Sequence, residues 1–211
     1  MAYHRNKLDR GFDTIINVWG ADHHGYIKRI EATIEAMGYS KKQMQVQLVQ
    51  FANLFENGSK VKMSTRSGNF YTLKQLIDDI GPDASRFYYL SKQADQHLDF
   101  DIGIARSNSK DNLYYYIQYA HARISSVEKK FLELNQSLPK KFNDVDFDEC
   151  DELLQMALSA QFVIKSSGES LQPHLIIYYL RDIAQNFHQF YNNVNIPVSY
   201  THLTLPTMEL V

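Results

Sequence analysis

Between Asn57 and Phe70 the chain reads Asn-Gly-Ser-Lys-Val-Lys-Met-Ser-Thr-Arg-Ser-Gly-Asn-Phe, which sets Lys60, Lys62 and Arg66 around the hydroxyls of Ser64 and Thr65. Gly58 and Gly68 bound the cluster. Residues of these types hold oxyanions, since the cations supply charge and hydroxyls and backbone N–H groups supply directed donors. The run follows a strand-like stretch, Met44–Phe55, and precedes a helix that opens near Thr72. A glycine-bounded basic loop between a strand and a helix suits phosphate, because N–H groups at a helix start attract anions. Charge alone favours a blander reading, a solvated basic hairpin.

A second cluster is Gly20-Ala-Asp-His-His-Gly25, which follows the apolar, β-branched run Thr14–Trp19. Gly20, Asp22, His23 and His24 fit the polar wall of a nucleotide or amino-acid pocket. No metal site is expected, because adjacent histidines point apart and no further ligand recurs at zinc spacing. Asp22 as a simple cap of the next helix stays open. A third set, Tyr115, Tyr119, His121 and Arg123, lies off the apolar stripe of a long helix. Aromatics beside arginine can stack on unpaired nucleotides. They can equally edge a bundle core, with Arg123 solvated.

The elements that must position these residues follow from periodicity. Met1–Phe12 is polar and helix-like with no starting cap, as expected of a chain cut from something longer. Thr14–Trp19 reads as a buried strand. Ile27, Ile30, Ile34 and Met37 form one face of a helix stopped by Gly38. Met44–Phe55 begins with strand alternation at Met44, Val46 and Leu48. Strand, helix, strand makes a parallel crossover, the unit of a doubly wound sheet whose ligands bind at the carboxyl ends of the strands. Both unusual segments fall at such ends.

Thr72-Leu-Lys-Gln75 has the form of a capping box, Gly81-Pro82 separates two helices, and Leu98–Ile102 alternates like a short strand. A domain boundary is placed near Ala105–Lys110. Beyond it, Leu113, Ile117, Ala120, Ile124, Val127, Phe131 and Leu134 form the stripe of a bundled helix. Asp148–Lys165 predicts a second helix with Leu153, Met156, Ala160 and Val163 inward. Pro173 opens a third, with Ile176, Leu180, Ile183, Phe187 and Phe190 on one face. Val198–Val211 carries no helical stripe, and Val198-Ser-Tyr-Thr-His-Leu203 resembles a translated sequencing adapter, so a non-native tail is expected over 198–211.

With 44% hydrophobic and 22% charged residues, the composition is globular and excludes a disordered chain. A net charge of −2 gives no whole-chain attraction to nucleic acid, so such contact would need local patches. The single cysteine, Cys150, excludes an internal disulfide and fits a reducing cytosol. No apolar run reaches the roughly 20 residues of a membrane span, and a cytoplasmic location is expected.

Lys62-Met-Ser-Thr-Arg66 resembles the Lys-Met-Ser-Lys-Ser loop of class I aminoacyl-tRNA synthetases, and the run as far as Phe70 is similar to the arginyl enzymes. Gly20–Tyr26, Gly81–Phe87 and Gln118–Ile124 resemble the same family in the same order, as does Tyr179–Tyr191. Ordered matches are more specific than any one motif. The resemblance implies a partial Rossmann-like, doubly wound α/β catalytic segment over 1–105. An all-α anticodon-binding helical bundle follows over 106–197. It implies ATP-dependent activation of L-arginine and its transfer to tRNA(Arg), with Mg2+ shielding ATP and an intact enzyme that is monomeric. Lys62, Lys60 and Arg66 would act on the phosphates. Gly20, Asp22, His23, His24, Met63 and Ser64 would bind ATP or arginine, and Tyr115, Tyr119, His121 and Arg123 would bind tRNA.

Two departures matter. Thr65 stands where the common loop has a second lysine, a charge that Lys60 or Arg66 would have to replace. The sequence also contains no His-Ile-Gly-His type motif, so this chain alone is expected to be inactive. The rival readings are a non-catalytic tRNA-binding module, a structural domain with a basic loop, and a fragment of another class I synthetase such as the cysteinyl enzyme.

Overall fold

The computed structural model describes residues 1–56, 58–61, 71–109, 111–133 and 150–194. Helix α1 (Ala2–Asp9) leads into β1 (Ile15–Gly20), a 3₁₀ turn (Ala21–Tyr26) and α2 (Ile27–Ala36). A Ser40–Gln43 capping box then delivers β2 (Met44–Val49). β1 and β2 pair in parallel, Ile15 opposite Met44 through Gly20 opposite Val49, which is the expected crossover. α2 ends with Gly38 at φ 85°, where Gly38 N–H donates to Glu35 O and Tyr39 N–H to Ile34 O. That pair of bonds is a Schellman stop, which needs a left-handed residue and so selects glycine. Leu8, Ile15, Ile34 and Met44 bury together between α1, α2 and the strands.

Two strand expectations are corrected. β1 is buried on one face only: Ile15 and Asn17 are inside, while Ile16 and Val18 are exposed. The apolar run is continuous, yet the helices of this crossover cover one side alone. The stretch Met44–Phe55 is two strands, because Gln50 N–H donates to Ala94 O and the chain leaves its first partner there. β3 (Ala52–Glu56) joins a second sheet of order β4-β3-β5, antiparallel to β4 (Ser59–Lys60) and parallel to β5 (Leu98–Asp101).

α3 (Leu73–Ile80) starts at the expected capping box, with Thr72 Oγ1 accepting from Gln75 N–H at 3.1 Å. α4 (Pro82–Tyr89) has proline in its first turn, and α5 (Ile102–Arg106) is capped by Asp101. Leu54, Leu76, Leu98, Phe100, Ile102 and Ala105 form the second apolar cluster. Buried Asn112 then ties this layer to the bundle. Its amide donates to Ala105 O and Ser107 O, and its Oδ1 accepts from Tyr88 OH and Tyr115 N–H.

The bundle consists of α6 (Leu113–Glu133), α7 (Asp151–Ser170) and α8 (His174–Asn193). α7 runs five residues beyond the expected Lys165, ending with Leu171 in the left-handed region at φ 56°. The inward face of α8 is rotated from the expected stripe and buries His174, Ile177, Ala184, Phe187 and His188. On α6 the rotation exposes Ile124. Gly168, Leu171 and Pro173, at the α7–α8 turn, face the outer side of β1–β2 across a cleft of about 450 Å³. The tail 198–211 lies outside the described residues.

Candidate functional site

β1 ends at Gly20, and the 3₁₀ turn after it brings Asp22, His23 and His24 to the surface. A Cβ at position 20 would lie 2.5 Å from Asp22 Oδ1, so in this arrangement the carboxylate folds back over the Gly20 backbone and would have to swing aside for a larger residue. Asp22 Oδ2 stands 3.7 Å from His23 Nε2, and His24 Nδ1 lies 3.2 Å from Ala21 O. Tyr26, not Asp22, is the N-cap residue of α2, and it makes no side-chain cap bond. The adjacent histidines separate, and only His23 joins a cavity of about 360 Å³ lined with Trp19, Tyr26 and Ile30. Its ring approaches that of Tyr26 at 5.9 Å. Flat aromatic walls beside a carboxylate–imidazole pair suit a planar ligand with a polar edge. Among the described residues no group of three His, Cys, Asp or Glu could hold a metal ion.

The second predicted region begins in the β3–β4 hairpin. Lys60 is exposed on β4, paired with Phe55, and Val61 N–H adds a bond of 2.8 Å to Leu54 O. Lys62, Met63, Ser64, Thr65 and Arg66 lie outside the described residues. What flanks them is a polar network that sequence reading missed. Arg106 of α5 places Nη1 2.9 Å from Glu56 Oε1 and Nη2 2.5 Å from Asp79 Oδ2, while Tyr71 OH donates to the same Asp79 oxygen. Burial and the Asp79 bond push the Tyr71 hydroxyl up to about 12. The Tyr71 and Arg106 hydrogen bonds hold Asp79 below the ordinary carboxylate range. Partners 27 and 50 residues from Arg106 leave no periodic trace in the sequence.

On α6 the four expected nucleic-acid residues separate. Tyr119 and Arg123 are not off the core stripe but turned into the α6–α8 interface, a correction to the sequence reading. The Arg123 guanidinium lies 4.8 Å from the Tyr119 ring centre and 4.3 Å from that of Tyr191, with Nη1 3.3 Å from His188 Nδ1. His188 stacks on Tyr119 at 5.4 Å. Burial, with Arg123 beside it, lowers the His188 pKa, so the ring is held neutral. Tyr119 OH, Arg123 Nε and His188 Nε2 are buried and find no hydrogen-bond partner among the described residues. His121 stays exposed at the rim of an apolar groove that includes Ile124 and Phe187, and Tyr115 is half-buried. His188 was missed because histidine does not score in an apolar stripe. Its spacing of four from Ala184 was the available signal.

Comparison with known proteins decides the family. The chain is 43% identical over its whole length to an arginine–tRNA ligase of Nitrosomonas europaea, of which it covers 36%. It is 44% identical over 99% of its length to one from Psychrobacter sp., of which it covers 35%. The chain belongs to the arginine–tRNA ligase family. It spans about a third of the length of the curated arginine–tRNA ligases it matches. The family model of the DALR anticodon binding domain matches residues 117–203, running past position 197 where the bundle was expected to end. A Campylobacter jejuni chain assigned as an arginyl-tRNA synthetase superposes with a TM-score of 0.80 at 36% identity, covering 93% of this chain and 43% of that one. The Thermus thermophilus arginyl-tRNA synthetase shares the fold, with a TM-score of 0.65 at 18% identity.

Proposed function

We propose that this chain supplies two working parts of an arginine–tRNA ligase: one wall of the arginine and ATP pocket, and a helical surface for tRNA(Arg). The single observation that carries the reading is the cavity at the carboxyl end of β1, lined by Trp19, His23, Tyr26 and Ile30, with Asp22 3.7 Å from the His23 ring. Its place after a parallel strand is where a doubly wound sheet takes its ligand, which supports a Rossmann-like origin for β1–α2–β2. Gly20 keeps the backbone close, and His24 completes the turn. Lys60, with Lys62, Ser64 and Arg66 beyond it and Met63 among them, is suited to charge developing on ATP phosphates when the arginine carboxylate attacks the α-phosphate. Mg2+ enters bound to ATP, as substrate. The described residues show no three-ligand cage for it.

In the bundle, Arg123 and Tyr119 are packing groups that hold α6 on α8. This leaves Tyr115 and His121 as the α6 residues best placed to meet nucleotides. The test is filter binding of a tRNA(Arg) transcript by the chain at several salt concentrations. Phosphate contacts predict a steep fall in affinity between about 50 and 200 mM salt, and His121→Ala weakens binding without altering the melting temperature. A chain that binds neither tRNA nor MgATP is a structural domain, and the proposal fails. Arginine-dependent pyrophosphate exchange by the chain alone is expected to be undetectable, since no His-Ile-Gly-His type motif occurs in it.

A further inference from the structure

We propose that Arg106 is a positioning residue that fixes the β3–β4 hairpin and so aims Lys60. The inference rests on the nucleotide reading of that hairpin. β4 has only two residues, and its register is two pairs, Phe55 with Lys60 and Glu56 with Ser59. So short a ribbon does not hold its own direction in water. Opposed pairs point to alternate faces, so Phe55 and Lys60 share one face while Glu56 and Ser59 share the other.

Arg106 grips the second face through Glu56, and its other nitrogen takes Asp79 on α3. The planar guanidinium fork binds two carboxylates at fixed angles, which a lysine ammonium cannot do. Tyr71, the first described residue after the basic run, closes the network on Asp79. Glu56 before the run and Tyr71 after it are thus tied to one side chain or its partner. The three ion-pair members remain 36–45% exposed, and exposed pairs contribute little to stability. What the arrangement fixes is geometry: with the Glu56 face drawn onto α3 and α5, Lys60 is turned outward.

The experiment uses the 211-residue chain, the variants Arg106→Gln and Arg106→Lys, and MgATP and AMP as probes, with amide exchange followed in the hairpin. Arg106→Gln is expected to raise exchange at Lys60 and Val61 and to weaken MgATP about fivefold to tenfold, because an unaimed cation loses preorganisation. AMP, which lacks the outer phosphates, should bind within about twofold of the parent chain. Arg106→Lys should recover part of the MgATP affinity through charge alone. Equal loss of both nucleotides would mean general loosening and would overturn the proposal, as would unchanged MgATP binding in Arg106→Gln. If the parent chain binds neither nucleotide, the nucleotide reading itself fails. Hairpin exchange then still decides the tether, and unchanged exchange in Arg106→Gln refutes it.

Discussion

In the α/β part Phe100, Ile34, Leu76 and Ile102 are almost wholly without solvent contact. In the bundle the buried apolar cluster is Ala120, Ala184 and Phe187, with tyrosines around it. The difference follows from how each region closes. In the α/β part, strands give alternate side chains to one face and helices cover that face, so large branched residues interlock. In the bundle, α6 and α8 meet through Ile117 and Phe187 and, beside them, through the Tyr119, Tyr191 and His188 rings gathered around the Arg123 guanidinium. α7 meanwhile leaves Leu158, Phe162 and Ile164 exposed. One region is held mainly by apolar volume, the other by a smaller apolar cluster joined to oriented aromatic and polar contacts. These two kinds of cohesion should respond differently to substitution and to pH.

The sharpest way to break the contrast is Phe100→Ala. Phe100 is 2% exposed and sits against Tyr88 and Tyr89, so its loss should cost about 3–5 kcal/mol. Urea unfolding measures this, and a cost under about 1 kcal/mol would mean that the α/β cluster is not the denser one. Arg123→Leu tests the other side. It removes two ring contacts and the donor to His188 Nδ1. A loss on the order of 1–2 kcal/mol is expected from such desolvated contacts. If leucine instead stabilises the chain, the interface wants apolar volume after all. Thr72→Ala, at the capping box of α3, should cost about 1 kcal/mol, read from the same urea curves and leaving the bundle untouched.

The smallest effect is in pH. Burial lowers the His188 pKa below its ordinary 6.5. The unfolded chain therefore takes up a proton near that pH that the folded bundle resists. Bundle stability should be full above it and decline as pH falls below it. Melting followed from pH 8 to 5 checks the sign, and His188→Phe should flatten the slope. On the alkaline side Tyr71 and Tyr88 are both held at about 12. Unfolded tyrosines ionise near 10, so stability should fall between those values, with late-titrating tyrosinate absorbance as the readout.

Much of the fold was legible in the sequence because it rests on local rules. The parallel crossover was written in β-branched runs and the Gly38 stop, α3 in Thr72 and Gln75, and the bundle in three apolar stripes. The Gly20–His24 turn stood out in the sequence because a glycine-flanked polar cluster follows a strand-like run, at the carboxyl end where such sheets take ligands. The break at Gln50 was not legible, since it depends on a carbonyl 44 residues away, that of Ala94. Nor was the inward turn of Arg123, because arginine reads as solvated until two rings and an imidazole are found around it.

By itself, then, the sequence determined where most of the helices and strands lie and some of their ends, among them the Gly38 stop and the Thr72 cap. Those outcomes depend on backbone preference and on periods of two and 3.6 residues, both contained within a few neighbours. Tertiary structure alone decided that Met44–Phe55 serves two sheets, that Arg106 gathers Glu56 and Asp79, and that Arg123 and His188 lie inside the bundle. Each of these sets a charge or a hydrogen bond against a group distant in the chain, and such pairings exist only once the elements have packed.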